Sequence, residues 1–125
     1  MKILVVDDDE YIRQIIAEIL EDQHHQVVTA SLGSEGLEIL KKEADFDLVI
    51  TDRNMPGMLG EEVIKVAKLQ CPEIKVFLMT GLMTKKVELA AKAAGADAIF
   101  DKKNYIRGNM AFIKSSFDNK SSFFC

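Results

Sequence analysis

The chain has little of what marks a secreted, membrane-embedded or nucleic-acid-binding protein. It has two cysteines among 125 residues, and two cysteines in a chain without a secretion signal are most simply free thiols. Its apolar runs fall far short of the roughly 20 residues that span a bilayer. Its formal net charge is −4, whereas proteins that bind nucleic acid carry a basic stripe that displaces phosphate counterions. We therefore expect no membrane span and no nucleic-acid binding through this domain.

The N-terminal segment carries no pattern of a secretion signal. Its apolar stretch, residues 3–6, runs directly into the acidic sequence DDDE, whereas the apolar region of a signal peptide is longer. We therefore expect the chain in the cytoplasm. Hydrophobic residues make up 48% of the chain and charged residues 29%, which is typical of a globular protein that buries a core within one domain.

Apolar runs of strand length alternate with helical patterns five times. The strand-like runs lie at 3–6, 26–30, 48–51, 74–79 and 98–100. Amphipathic stripes follow them at about 10–22, at about 34–43, around Val63 and Ile64, around Ala90 and Ala91, and around Met110 and Ile113. The first, third and fourth runs are almost continuously apolar, as in strands that helices cover on both faces. The pattern predicts an α/β fold with a doubly wound, five-stranded parallel sheet.

Short polar residues and glycine predict where several helices begin or end. Asp8 and Asp9 precede the first helical stripe and either could cap it, Ser34 opens the second and Thr84 precedes the fourth, and each is a residue type that caps helix N-termini. Gly95 follows the fourth stripe, where a left-handed residue commonly ends a helix. We therefore predict three N-caps and one glycine C-cap.

Polar side chains follow four of the apolar runs. Asp7 and Asp8 follow the first run, Asp52 the third and Thr80 the fourth, while Lys102 lies just beyond the last. In open parallel sheets ligands bind outside the carboxyl ends of the strands. The strand order 2-1-3-4-5, one of two common orders in this class, places the first and third strands side by side. We therefore expect these side chains to form one site.

The chemistry of that site follows from its charges. Two ionised carboxylates about 4 Å apart repel by about 4 kcal/mol at an effective dielectric constant of about 20, so either one takes up a proton or a cation binds. Oxygen ligands suit Mg²⁺, and the carbonyl of Asn54 is a further candidate ligand. Asp52 is then a candidate nucleophile toward phosphorus. The Thr80 hydroxyl and the Lys102 ammonium are candidate donors to phosphoryl oxygens.

Four motifs in this order resemble the receiver domain of bacterial two-component response regulators, and the chain is similar to the single-domain chemotaxis regulator. They are VVDDDE at 5–10, DLVITDRNMPGMLG at 47–60, VFLMTG at 76–81 and GADAIFDKK at 95–103. The resemblance implies a flavodoxin-like receiver domain over 1–118. The tail at 119–125 has no clear period, and we expect it to be frayed.

The resemblance also implies a function and assigns its residues. Asp52 is the implied phospho-acceptor, and Thr80 and Lys102 contact the phosphoryl group. The carboxylates of Asp7, Asp8 and Asp52 bind Mg²⁺ together with the carbonyl of Asn54. The phosphoryl group comes from a sensor histidine kinase or a phosphotransfer protein, and the domain catalyses only its own phosphorylation and dephosphorylation. Phosphorylation then switches a face that binds an output partner.

Three positions depart from the family pattern. Lys103 stands where the family usually has proline, so Lys103 is the alternative functional lysine if the register slips by one residue. Ile99 replaces the family's switch aromatic, and Leu59 replaces an acidic residue. Two other functions stay open: an unphosphorylated pseudo-receiver that acts as a binding module, and a Mg²⁺-dependent phosphatase, since Asp7 and Asp9 form a D-x-D motif.

Overall fold

The structure, a computed structural model, describes residues 1–43 and 45–102. Its strands and helices alternate as β1 (Lys2–Val6), α1 (Glu10–Asp22), β2 (Gln26–Ala30), α2 (Gly33–Lys42), β3 (Leu48–Asp52), α3 (Gly60–Gln70), β4 (Lys75–Thr80), α4 (Lys85–Ala94) and β5 (Ala98–Asp101). The predicted fifth helix, the tail, Lys103 and Cys125 lie outside the described residues. Within the described ranges, no helix combines the length and apolar character that crossing a bilayer requires.

The five strands form one parallel sheet in the order β2-β1-β3-β4-β5, which confirms the predicted order. Val6 at the end of β1 pairs with Thr51 of β3, and Asp52 pairs with Met79 of β4. Thr80 pairs in turn with Asp101 of β5. The carboxyl ends of these four strands therefore meet along one edge of the sheet.

Helices pack on both faces of the sheet, as the apolar strands predict. Residues of β1, β3 and β4 alternate between two buried clusters, because successive side chains of a strand point to opposite faces. Ile16 and Leu20 of α1 belong to the first cluster with Ile3, Val5, Ile50 and Phe77. The second cluster joins α2, α3 and α4 to the other face through Leu40, Val63, Ile64, Ala91, Leu4, Val49 and Leu78. Burial on both faces fixes the register of the strands, and hence the positions of the residues that follow them.

Three of the four predicted helix ends are confirmed. Asp9 Oδ1 accepts hydrogen bonds from the backbone N–H groups of Tyr11 (2.9 Å) and Ile12 (3.2 Å) at the start of α1. Thr84 Oγ1 accepts one from Val87 N–H at 3.2 Å and caps α4. Gly95 ends α4 with φ of 107°, a left-handed conformation that glycine adopts without a steric penalty.

The predicted N-cap at Ser34 is wrong. Helix α2 already begins at Gly33, and its N-cap is Leu32, whose carbonyl accepts a hydrogen bond from Gly36 N–H at 3.0 Å. Gly33 packs against α3, because a Cβ placed there would lie 2.9 Å from Val63 Cγ2. Tertiary packing therefore starts the helix before the serine, although a leucine side chain cannot accept the capping hydrogen bond.

Candidate functional site

The acidic turn after β1 gives each of its three aspartates a different environment. Asp7 is fully buried, and its Oδ1 accepts a hydrogen bond from Asp9 N–H at 2.9 Å. Asp9 turns outward and caps α1, as expected. Asp8 lies between them and is exposed to solvent. The turn thus leaves Asp7 and Asp8 available to a site, while Asp9 serves the helix.

Asp7, Asp8 and Asp52 converge at the edge where β1 and β3 end. One carboxylate oxygen of each lies within 4.8 Å of one from each of the others. The Asp52 side chain is only 7% exposed. Because Thr51 pairs with Val6 in the register of β3 and β1, Asp52 comes next to Asp7 as both strands end. The sheet therefore brings together carboxylates that are 45 residues apart in the chain.

Lys102 reaches this cluster from the end of β5. Its Nζ lies 3.0 Å from Asp7 Oδ2 and 3.2 Å from Asp52 Oδ2. The ammonium thus lies between the two buried carboxylates and neutralises one of their charges. Within the described residues, the charges of Asp7, Asp8 and Asp52 exceed the charge of Lys102, and this excess favours a cation.

The buried charges shift one another's pKa values. Burial, followed by repulsion from Asp7, raises the pKa of Asp52 to about 6, and Lys102 only partly opposes these effects. Burial also raises the pKa of Asp7, against the opposing hydrogen bond from Asp9 N–H and the charge of Lys102. Burial alone would lower the pKa of Lys102, but its contacts with Asp7 and Asp52 outweigh burial and raise it. Near neutral pH Asp52 is therefore mostly ionised, although burial and the charge of Asp7 make its ionised form less favourable than in water.

The donor set fits a small divalent cation. All three side chains offer carboxylate oxygens, the ligand type that Mg²⁺ prefers. Asp7 Oδ2 is buried, and within the described residues no hydrogen bond is assigned to it, although the Lys102 ammonium lies 3.0 Å away. A cation would satisfy this oxygen. Asn54 lies exposed two residues after Asp52, and its carbonyl stays a predicted ligand.

Thr80 ends β4 and is 1% exposed. Its hydroxyl bonds both backbone groups of Leu82: it donates to the Leu82 carbonyl and accepts from Leu82 N–H, each at 3.2 Å. The hydroxyl is thus held by the loop that follows β4. Its contact with a phosphoryl group stays a prediction.

Sequence reasoning missed residues that support the acidic cluster. The guanidinium of Arg13, on α1, donates from Nη1 to the carbonyl of Asp7 at 2.8 Å. Arg53 follows Asp52 and forms an ion pair with Glu61, with Nη2 3.1 Å from Oε2. Gly60 packs against the backbone of Asp52, because a Cβ there would lie 2.6 Å from the Asp52 carbonyl oxygen. The opposite charges of Arg53 and Glu61, on either side of the Met-Pro-Gly loop, were the sequence feature from which their ion pair could have been predicted.

Comparison with known proteins decides the family. The family model of the response regulator receiver domain matches residues 3–110. The chain belongs to this family. Receiver domains accept phosphoryl groups in two-component signal transduction, so the resemblance seen in the sequence is confirmed at the level of the family. The fold agrees, since the strand order and the placement of helices are those of chemotaxis receiver structures.

The curated relatives of this receiver are longer response regulators. It is 31% identical over 97 residues to the cell cycle response regulator CtrA of Brucella ovis, an alignment that covers 78% of this chain and 41% of that protein. The chain thus spans less than half the length of the curated relatives it matches.

Two solved structures resemble this receiver along almost their whole length. The chemotaxis protein CheY4 of Vibrio cholerae superposes with a TM-score of 0.84 and 30% identity, covering 91% of this chain and 96% of that one. The response regulator TrrA of Thermotoga maritima, in complex with Mg²⁺ and a beryllium fluoride, has a TM-score of 0.79 and 30% identity, covering 94% and 96%.

Proposed function

We propose that Asp52 is the phospho-acceptor of this receiver and that Mg²⁺ binds to Asp7, Asp8 and Asp52. The observation that carries the proposal is the convergence of three carboxylates from two strands with an ammonium from a third. A capping role explains Asp9 but not a carboxylate from β3 beside those of β1. The Mg²⁺–beryllium fluoride complex of the similar TrrA receiver supports the same assignment. The Asn54 carbonyl is the proposed fourth protein ligand.

The proposed reaction transfers a phosphoryl group between side chains. An ionised oxygen of Asp52 forms a bond to phosphorus, and the phosphorus–nitrogen bond of a phosphohistidine breaks. The electron pair stays on the imidazole nitrogen, which takes up a proton from water. A bound Mg²⁺ supplies positive charge that neutralises the phosphoryl oxygens. The Lys102 ammonium, now 3.2 Å from Asp52 Oδ2, is placed to hold one oxygen of the product, so the protein contributes position and charge.

The donor and the compartment follow from this chemistry. Asp52 is buried at the carboxyl end of β3, near exposed Asp8, and we infer that a phosphohistidine on a sensor histidine kinase or a phosphotransfer protein approaches from the side of Asp8. Such kinases use ATP, so we place the protein in the cytoplasm. Catalysis by the domain is limited to its own phosphorylation and dephosphorylation.

The signal leaves through the loop after β4. For the Thr80 hydroxyl to donate to a phosphoryl oxygen, it must release the Leu82 carbonyl, to which it now donates, and the segment Gly81–Thr84 then repacks. Ile99 packs in the cluster on the α2–α4 face. Phe100 faces the other way, with its ring 5.4 Å from that of Phe77, and so does not replace the missing switch aromatic. An output partner reads the rearranged loop and the adjoining face of α4.

The test is intact-mass spectrometry of the full chain after incubation with MgCl₂ and acetyl phosphate. One phosphoryl adduct is expected, absent in Asp52→Asn and retained in Asp45→Asn, whose carboxylate is exposed and lies before β3, away from the site. Lys102→Gln should lower the yield while Lys103→Gln keeps it. A chain that gains no adduct is a pseudo-receiver, and steady hydrolysis of a phosphomonoester would indicate a phosphatase.

A further inference from the structure

Arg53 directly follows the proposed acceptor, and both its backbone N–H and its backbone carbonyl form hydrogen bonds. Arg53 N–H donates to the Met79 carbonyl at 2.9 Å, which ties Arg53 to β4. Its carbonyl accepts from Gly60 N–H at 2.7 Å, which ties it to the first residue of α3. The loop 54–59 is therefore closed at its base by a backbone hydrogen bond between the residues that flank it.

The side chain of Arg53 closes the same loop a second time. Its Nη2 lies 3.1 Å from Glu61 Oε2, in the first turn of α3. Its Nη1 donates to Asn54 Oδ1 at 3.4 Å. One guanidinium thus joins the start of the loop, where the proposed carbonyl ligand lies, to the helix that follows the loop.

The pair is partly shielded from water. The Arg53 and Glu61 side chains are 23% and 14% exposed, and within the described residues neither Arg53 Nε nor Glu61 Oε1 makes a hydrogen bond. Loss of one partner therefore leaves a partly buried charge uncompensated, which is unfavourable. Exposed ion pairs, in contrast, hold a loop weakly because solvent replaces them at little cost.

The start of α3 has little room to adjust if the pair is lost. Gly60 lies so close to β3 that a Cβ there would be 2.6 Å from the Asp52 carbonyl oxygen and 2.9 Å from Arg53 Cα. A movement of the start of α3 is therefore transmitted to the acceptor's own backbone. Asn54 directly follows Arg53 in the chain, so a shift of the Arg53 backbone also moves the Asn54 carbonyl.

We propose that Arg53 and Glu61 form a clasp that positions the loop 54–59 for divalent-cation binding. The clasp rests on the proposed function, because it orients the Asn54 carbonyl toward the cation that Asp7, Asp8 and Asp52 hold. Neither residue of the clasp touches the cation; both are positioning residues. If Arg53 and Glu61 acted on the cation only through their charges, neutralising each of them would change the affinity in opposite directions. This difference separates the clasp from a purely electrostatic effect.

The test is isothermal titration calorimetry of the full chain with MgCl₂ as the only ligand. If charge alone mattered, Arg53→Gln would strengthen cation binding and Glu61→Gln would weaken it. The clasp predicts that both substitutions weaken binding, by about tenfold, the lower end of the effect of outer-shell partners on metal affinity. It also predicts that the double variant binds no more weakly than either single variant, since one interaction is lost in all three. Opposite signs, additive effects or unchanged affinities would each overturn the clasp.

Two controls keep the result interpretable. Glu43→Gln removes an ion pair that is 46% exposed on the glutamate side and should leave Mg²⁺ affinity unchanged. Arg53→Lys and Glu61→Asp keep both charges in a shortened pair, and they serve where a neutral variant does not fold: weaker binding supports the clasp, and unchanged binding refutes it. If the wild-type chain binds no Mg²⁺, the proposed function fails; if it binds Mg²⁺ and the clasp variants behave as charges, only the clasp fails.

Discussion

Replacing the proposed phospho-acceptor by asparagine should stabilise the protein when no divalent cation is present. The pKa of Asp52 is raised from 3.8 to about 6 by burial and by Asp7, and a shift of about two pKa units corresponds to about 3 kcal/mol. Above pH 6 the folded state therefore carries an ionised group that the unfolded state accommodates more easily. Asparagine has nearly the same shape without the charge, so we expect Asp52→Asn to raise the free energy of unfolding by about 2 kcal/mol at pH 7.5.

The pH dependence has a definite sign. Because the folded-state pKa is the higher one, the folded state binds the proton more tightly, and stability falls as pH rises from about 4 to about 6. Asp52→Asn should remove this contribution to the slope. The measurement is urea denaturation across that range in EDTA, followed by circular dichroism. Added MgCl₂ should stabilise the wild-type chain by mass action and the variant much less.

Another buried aspartate is the matched control, with the opposite expectation. Asp97 is 5% exposed, and its Oδ2 accepts from Lys68 Nζ at 2.7 Å and from Val76 N–H at 2.8 Å. Asp97→Asn should therefore destabilise the fold by about 1–3 kcal/mol, because it weakens hydrogen bonds between buried partners. If Asp52→Asn destabilised the cation-free protein as Asp97→Asn does, the account of the acidic cluster would be refuted.

Two further substitutions, each with a matched control, test the packing around the site and the helix ends. Gly60→Ala should lower the free energy of unfolding by about 2 kcal/mol or more in urea denaturation, because its methyl group would meet Leu78 Cδ1 at 2.5 Å. Gly81→Ala is the control and should be nearly neutral, because an added Cβ there meets nothing within 4 Å. Equal effects of the two substitutions would contradict the packing argument. Leu32→Ser should raise the free energy of unfolding by about 1 kcal/mol, since it supplies the missing cap of α2, whereas removal of the Ser34 hydroxyl in S34A should not lower the melting temperature.

The arrangement of strands could be predicted because the sequence encodes it redundantly. Runs such as 3–6 and 48–51 are buried on both faces, and this requires helices on each side and parallel strands. The carboxyl ends of such strands lie along one edge of the sheet, so the proximity of Asp7, Asp52 and Lys102 could be predicted from the sequence. Local capping was predictable at Asp9, whose side chain accepts from the backbone N–H groups of Tyr11 and Ile12 in its own helix.

The rest depends on contacts between elements that no local pattern carries. Ser34 failed as an N-cap because the packing of Gly33 against α3 determines where α2 starts. The hydrogen bond from Arg13 to the Asp7 carbonyl needs the angle between α1 and β1. The present position of the Thr80 hydroxyl, on the backbone of Leu82, depends on the path of a loop. Sequence patterns give the chemistry of the site, and packing gives the contacts that support it.

The most direct test of the central claim is to locate the phosphoryl group by chemistry. An aspartyl phosphate is an acyl phosphate, and borohydride reduces it to homoserine, which peptide mass spectrometry assigns to a position. After incubation of the full chain with MgCl₂ and acetyl phosphate, we predict homoserine at position 52 alone, and none when EDTA replaces MgCl₂. Homoserine at position 7 or 8, or an adduct that forms equally well in EDTA, would contradict a Mg²⁺-dependent acceptor at Asp52.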